Sequence, residues 1–341
     1  MTGPKLQISV AIPVCNGGAQ LARTLAALER QTVAHELLVC DSGSTDGSID
    51  LARRHRARVL EIPRHEFNHG ATRNLLMRGA AGARVALLSQ DAEPADEHWL
   101  ERLLEGFTLG DHVAVVYGPY RPRPDAAFAV RTELEQWFSS LSPDGTPQVE
   151  RGEELRLLPA IELVGRRGFL TDANVCLART AWERVPFREV PYAEDRVLAI
   201  ELLRAGYSKV FMPQAAVWHS HDYGTIDKLR RSFDEWRGLR EVYGWREPVS
   251  PAHLARQLRG ALAGARRQLI GEGVPLSRRP TMLAAVGAHQ LMRLAGALLG
   301  SRADRLAPSA RRMLSLEGRR GFAPLGLDGG PGQHARDGLA R

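Results

Sequence analysis

Cysteine is nearly missing from this chain. The 341 residues hold three, Cys15, Cys40 and Cys176, far apart and each inside an apolar run. That excludes a disulfide framework and leaves buried free thiols in a reducing cytoplasm as the expectation. Long uninterrupted apolar runs are missing too. The best candidate for a membrane span, Thr281 to Leu299, is broken by His289, Gln290 and Arg293, which are costly in lipid. Any membrane contact is therefore expected to be peripheral. No leader pattern opens the chain, because Thr2 to Gln7 runs straight into a strand pattern. The first turn, Cys15-Asn16-Gly17-Gly18-Ala19, lacks G-x-G-x-x-G, which removes a dinucleotide-binding dehydrogenase. A glycine- and lysine/arginine-rich pyrophosphate turn near the start, as a nucleotidyltransferase needs, is also lacking.

What is present is length and positive charge. The chain is long enough to bury one large core, with room for an appendage. Its formal charge of +7 is spread through Arg-rich helices rather than gathered in a tail. A basic surface suits nucleotide sugars, anionic membranes or nucleic acid. Neither zinc-finger spacing nor an RNA-binding aromatic motif accompanies the charge, so nucleic acid is not an expected partner.

Hydrophobic periodicity predicts strands at Ile8 to Val14, Glu36 to Cys40, Arg58 to Ile62, Val85 to Leu88 and Val113 to Tyr117. Helices fall between them, among them Gly70 to Ala80 and Trp99 to Phe107. That alternation predicts an α/β fold with a mostly parallel sheet. Ligands in such sheets collect beyond the carboxyl ends of strands, where Asn16, Asp41, His69 and Asp91 fall. From Arg121 to about Arg167 prolines break the pattern, and loops with a short helix or two are expected. Phe169 to Leu177 reads as a returning strand and Asp195 to Arg204 as a helix. Lys228 to Tyr243 and Pro251 to about Leu299 read as amphipathic and Ala/Leu/Arg-rich helices, a surface for packing on the catalytic part or for homodimer contact. The expected division is a catalytic domain over 1–223, a helical extension over 224–316 and a disordered tail over 317–341.

Asp41 closes a strand and opens a Ser/Gly-rich turn. Its carboxylate can accept the imide N–H of a pyrimidine, or it can simply cap turn amides. Arg73 can neutralise a diphosphate or lie on a helix surface. Asp91, three residues past an apolar strand, is placed to share a divalent cation with a diphosphate. Glu93, His219 and His221 are candidate additional ligands, or structural residues. Glu194-Asp195 at a helix start can cap it, or Asp195 can take a proton from an attacking hydroxyl.

With those residues in view, the chain resembles family 2 glycosyltransferases of the GT-A fold, and within them bacterial rhamnosyltransferases of polysaccharide and O-antigen assembly. The resemblance covers about residues 6 to 240. It rests on I-P-V-C-N (Ile12 to Asn16), C-D-S-G-S-T-D-G-S (Cys40 to Ser48), F-N-H-G-A-T-R-N (Phe67 to Asn74), S-Q-D-A-E-P (Ser89 to Pro94), A-E-D (Ala193 to Asp195) and V-W-H-S-H-D-Y (Val217 to Tyr223). It implies an inverting transferase with Asp195 as base and Glu194 beside it. Pro13, Asn16, Asp41, Ser42, His69, Arg73, Gln90 and Asp91 would line the donor, with Asp91 and His219 on Mg²⁺ or Mn²⁺. The implied donor is dTDP-β-L-rhamnose and the acceptor a glycan or lipid-linked glycan. The family's D-x-D reads Ser89-Gln90-Asp91 here, without its first carboxylate, as is common in the rhamnosyl-type subgroup. A UDP-hexose or UDP-N-acetylhexosamine donor, and a non-catalytic nucleotide-sugar or partner-binding protein, are the alternatives.

Overall fold

The computed structural model describes residues 7–319; the expected tail lies outside the described residues from 320 on. Contacts divide the chain into two compact units. One runs through Arg121 and takes in Phe138–Glu189 and Glu194–His219; the other holds Pro122–Trp137, Val190–Ala193 and the chain from Ser220.

The strands are β1 (Ile8–Val14), β2 (Glu36–Asp41), β3 (Arg58–Glu61), β4 (Arg84–Leu88), β5 (Glu93–Pro94), β6 (Val113–Tyr117), β7 (Tyr120–Arg121), β8 (Gln148–Glu150), β9 (Asn174–Ala178), β10 (Ser208–Phe211) and β11 (Val217–Trp218). Eight of them form one sheet in the order β3-β2-β1-β4-β9-β6-β10-β8, and β5-β11-β7 form a second, small sheet. β3, β2, β1 and β4 run parallel, as do β6 and β10, while β9 runs against both of its neighbours. The reason β1 and β4 read as continuous apolar runs is that helices cover both faces of the sheet. Ile8, Val10, Ile12, Leu21, Leu25, Leu88, Trp99 and Val116 share one core with almost no exposure.

Two sequence expectations need correction. The stretch after Arg121 holds a 14-residue helix, Phe128–Leu141. Val130, Phe138 and Leu141 are buried at helical spacing, and Pro122, Pro124 and Pro143 bound the helix rather than interrupting it. The returning strand is shorter than expected: Phe169 to Ala173 precede it and only Asn174–Ala178 pair. Of the three thiols, all free, Cys40 and Cys176 are buried and Cys15 is only partly covered. Burial pushes the Cys40 thiol up to about 11 and that of Cys176 to about 12, so neither is a nucleophile at neutral pH.

The second unit is helical, with Thr225–Tyr243, Pro251–Gly271 and Arg279–Gly300 as its long members. Gly296 and Gly300 exist because a Cβ there would collide with the carbonyl oxygens of Leu229 and Phe233, so these two helices pack backbone to backbone. By length and composition Arg279–Gly300 could cross a membrane. Its His289 is used inside the unit: with Lys228 of the helix Thr225–Tyr243 it holds the Glu133 carboxylate, at 2.7 and 2.5 Å. Burial pushes Glu133 up, but Lys228 and His289 outweigh it and hold that carboxyl well below its usual range.

Candidate active site at the carboxyl edge of the sheet

The loops beyond β1 and β2 are knitted together by side chains. Asp41 is 2 % exposed. One of its carboxylate oxygens accepts the N–H groups of Gly43 and Ser44, both at 2.9 Å, and the other accepts the Ser44 hydroxyl. Three of roughly four lone-pair positions are thereby used, which leaves one for an incoming N–H. Asn16 takes a left-handed φ of 51°, tolerable for an asparagine. Its side-chain oxygen accepts Thr45 N–H at 2.8 Å and its own N–H donates to Ser44 Oγ at 2.8 Å. Ser42 donates from both its N–H and its hydroxyl to the Val14 carbonyl. Pro13 lies within β1 opposite Cys40.

Gln90 joins these loops to the end of β4. Its carbonyl accepts Cys15 N–H at 2.9 Å and its amide donates to the Cys15 carbonyl at 3.2 Å. That two-way clamp needs a donor as well as an acceptor, so a carboxylate at position 90 could not make it. Asp91 and His219 are each 8 % exposed, with Nδ1 of the histidine 3.4 Å from the aspartate Oδ1. Strand pairing places them together, since Trp218 of β11 lies opposite Glu93 of β5. The Tyr120 ring meets the imidazole edge-on with centroids 4.7 Å apart and fixes its plane. A carboxylate oxygen and an imidazole nitrogen at this separation suit Mn²⁺ or Mg²⁺ with the remaining positions left to phosphate oxygens and water. His221 falls in the other unit.

A second constellation is acidic. Arg73, in the helix His69–Gly79, is 4 % exposed. Its Nε lies 2.7 Å from Asp172 Oδ2, and one terminal nitrogen lies 3.1 Å from Glu194 Oε1 and donates to the His69 carbonyl at 3.0 Å. The His69 ring is 3.7 Å from the same Glu194 oxygen. Burial pushes the Glu194 carboxyl well up, the charge of Asp172 adds to that, and Arg73 offsets only part. Asp195, partly exposed, is also pushed well up by burial and by Asp172 and Glu194. For Arg73 burial pulls down, yet Asp172 and Glu194 keep its guanidinium charged beyond its ordinary range. The residue before the pair, Ala193, has a φ of 66°, a strained value for alanine that turns the chain sharply into the helix Glu194–Arg204.

Asp172 is a member of this cluster that sequence reasoning passed over. It precedes an apolar strand, whereas acidic site residues of parallel sheets follow one. Because β9 is antiparallel, its start pairs with the end of β4, Asn174 opposite Leu88, and Ser89 N–H reaches the Ala173 carbonyl at 3.4 Å. Asp172 therefore arrives at the same edge as Asp91. The signal available in the sequence was an aspartate beside two polar residues, Thr171 and Asn174, opening a fully apolar run.

Asn74 and Gly70 tie the helix carrying Arg73 to its neighbour. The Asn74 amide exchanges hydrogen bonds with both the N–H and the carbonyl of Phe187, at 3.0 and 2.8 Å. A Cβ on Gly70 would collide with the Arg188 carbonyl. Gly70→Ala is therefore expected to destabilise by about 1–3 kcal/mol through overpacking. Urea titration of the two proteins checks this.

An α/β sheet that gathers a turn carboxylate, an Asp–His pair and an acidic cluster around a buried arginine at its edge has the architecture of a GT-A glycosyltransferase. The glycosyl transferase family 2 profile matches residues 9–168. The chain is 36% identical over 253 residues to glycosyltransferase AglE of Haloferax volcanii, covering 71% of this chain and 76% of that one. It is 29% identical over 235 residues to the O-antigen chain rhamnosyltransferase RfbN of Salmonella typhimurium, covering 67% and 71%. Among solved structures, the mannosyltransferase PcManGT from Pyrobaculum calidifontis, in complex with GDP-Man and Mn²⁺, superposes with a TM-score of 0.56 at 18% identity over 89% of this chain and 87% of that one. The chain belongs to glycosyl transferase family 2 and is a glycosyltransferase.

Proposed function

We propose that this glycosyltransferase moves L-rhamnose from dTDP-β-L-rhamnose to a hydroxyl of a glycan or lipid-linked glycan, with inversion at the anomeric carbon. The observation that carries the chemistry is the acidic cluster of Asp172, Glu194 and Asp195 around Arg73, set at the same sheet edge as Asp91 and His219. Asp41, with one lone pair remaining, accepts the pyrimidine imide N–H, and the turn from Ser42 packs beside it. Asp195 and Asp172 are the partly exposed acids of the cluster, and Asp172 is engaged by Arg73 Nε at 2.7 Å. Asp195 takes the proton of the acceptor hydroxyl as that oxygen attacks, and its raised proton affinity favours the transfer. Arg73 holds Glu194 and Asp172 and so fixes the peptide on which Asp195 sits. Asp91 and His219 would hold Mg²⁺ or Mn²⁺; when bound, the ion offsets charge on the departing diphosphate. Two relatives, RfbN and WbaN of Salmonella anatum, are O-antigen chain rhamnosyltransferases at 29% and 28% identity, which supports rhamnose as the donor sugar.

The test is binding and hydrolysis of a nucleotide-sugar panel by the purified chain, with and without Mn²⁺ or Mg²⁺. Selective use of dTDP-rhamnose is expected, and preference for a UDP-hexose or UDP-N-acetylhexosamine would overturn the donor assignment. Asp91→Asn and His219→Ala are each expected to raise the Mn²⁺ concentration needed for half-maximal donor binding by about 10-fold or more. Calorimetric titration of Mn²⁺ in the presence of the nucleoside diphosphate measures it, and an unchanged midpoint would remove the pair from metal binding.

A further inference from the structure

The second unit carries an exposed surface that includes none of the residues assigned above to sugar transfer. Along the helix Pro251–Gly271, the exposed face presents Arg256, Arg259, Ala263, Arg266, Arg267 and Ile270 at helical spacing. The turn that follows holds Leu276, 76% exposed, and Arg278, also exposed, and Ile270 is 51% exposed. From Pro251 to Arg279 the only acidic residue is Glu272, and it is paired with Arg131 at 2.9 Å. Among the described residues, Arg259, Arg266, Arg267 and Arg278 have no carboxylate within ion-pair range. The next helix, Arg279–Gly300, turns Ala284, Ala285, Ala288 and Leu291 outward, with Leu291 50% exposed. Charge of one sign thus stands beside uncovered apolar side chains at the tip of a helical hairpin.

We propose that this hairpin tip docks on an anionic lipid bilayer, with Ile270 and Leu276 entering the headgroup region and Arg266, Arg267 and Arg278 meeting lipid phosphates. A like-charged surface disfavours a second copy of the chain, since five exposed arginines would face five. Nucleic acid would use the same arginines but gains from stacking on aromatic rings, and Pro251 to Gly300 contains none. Basic and apolar residues together are the pattern of an interfacial helix lying in the plane of the membrane. The surface belongs to the helical unit alone and is independent of the donor assignment.

The experiment is co-sedimentation of the full chain with vesicles of phosphatidylcholine alone and of phosphatidylcholine with phosphatidylglycerol. Binding only to the phosphatidylglycerol vesicles is expected, weakening as salt is raised. The triple variant Arg266→Gln, Arg267→Gln, Arg278→Gln is expected to lower the partition coefficient on the order of 10²-fold, at about one charge contact per arginine. Ile270→Ser with Leu276→Ser is expected to weaken the binding that survives at high salt, with circular dichroism of every variant unchanged because all five positions are on the surface. No binding to phosphatidylglycerol vesicles overturns the proposal. So does equal binding by the triple variant, preferential binding to an RNA homopolymer, or a dimer in light scattering that the Ile270 and Leu276 variants dissolve.

Discussion

Asp195→Asn is expected to slow sugar transfer about 10²–10⁴-fold, the usual worth of a positioned general base, with nucleotide affinity and cooperative unfolding retained. The substitution keeps the shape of the side chain and removes its ability to accept a proton. Burial is the largest cause that pushes the Asp195 carboxyl up, and the charges of Asp172 and Glu194 beside it add to the rise. Replacing one of three clustered acids by a neutral amide relieves repulsion, so the variant should melt no lower than the parent, and lost rate cannot be ascribed to lost fold. The same shift predicts the pH profile. A base whose proton affinity is raised is disabled as pH falls through the raised value, so the acid limb of kcat/KM should lie above 3.8, the ordinary value for aspartate. Turnover by Asp195→Asn equal to that of the parent would remove Asp195 as the base. An acid limb at the ordinary aspartate value would show that the cluster does not tune it.

Arg73→Leu is expected to destabilise the chain by about 3–5 kcal/mol, because it leaves buried carboxylates without their counter-charge. Arg73 lies 2.7 Å from Asp172 and 3.1 Å from Glu194, and both Arg73 and Glu194 are almost fully buried. Glu194→Gln in the same background should recover part of the loss, since it removes one of the stranded charges; chemical denaturation of the single and double variants measures the difference. Linkage gives an independent reading. In the folded chain Glu194 has a proton affinity above its ordinary 4.5, so between 4.5 and the raised value the folded state binds more protons than the unfolded one. Stability therefore falls as pH rises through that window, and Glu194→Gln should flatten the slope. A slope unchanged by Glu194→Gln would assign it to another group.

The sheet was readable from the apolar runs because each lies between a polar turn and an amphipathic helix, and burial on both faces leaves no alternation to confuse the period. β1 and β6 begin and end where the runs do. Residues that follow parallel strands were readable for the same reason: Asp41 closes β2 and Asp91 stands just past β4. Strand direction was not. Whether a short run such as Asn174–Ala178 pairs parallel or antiparallel depends on partners more than 50 positions away, and with it depends the edge that Asp172 reaches. The helix Phe128–Leu141 was hidden by prolines that lie at its ends, where proline is tolerated. Burial of Arg73 was hidden as well. Nothing local tells a surface helix arginine from one that faces Asp172, because the carboxylates that claim it come from later in the chain.

The reversal of β9 divides the chain's labour in time as well as in space. Asn16, Asp41, Gln90 and Asp91 all emerge before β6, at the exits of strands that lie side by side. Asp172, Glu194 and Asp195 come afterwards, at the entrance to β9 and at a helix start. A ribosome releasing this polypeptide would complete the loops that carry Asn16, Asp41, Gln90 and Asp91 before the acidic cluster and His219 exist. Recombination between relatives at any point from β7 to Thr171 would exchange the acidic cluster and everything after it while keeping the nucleotide-facing loops intact.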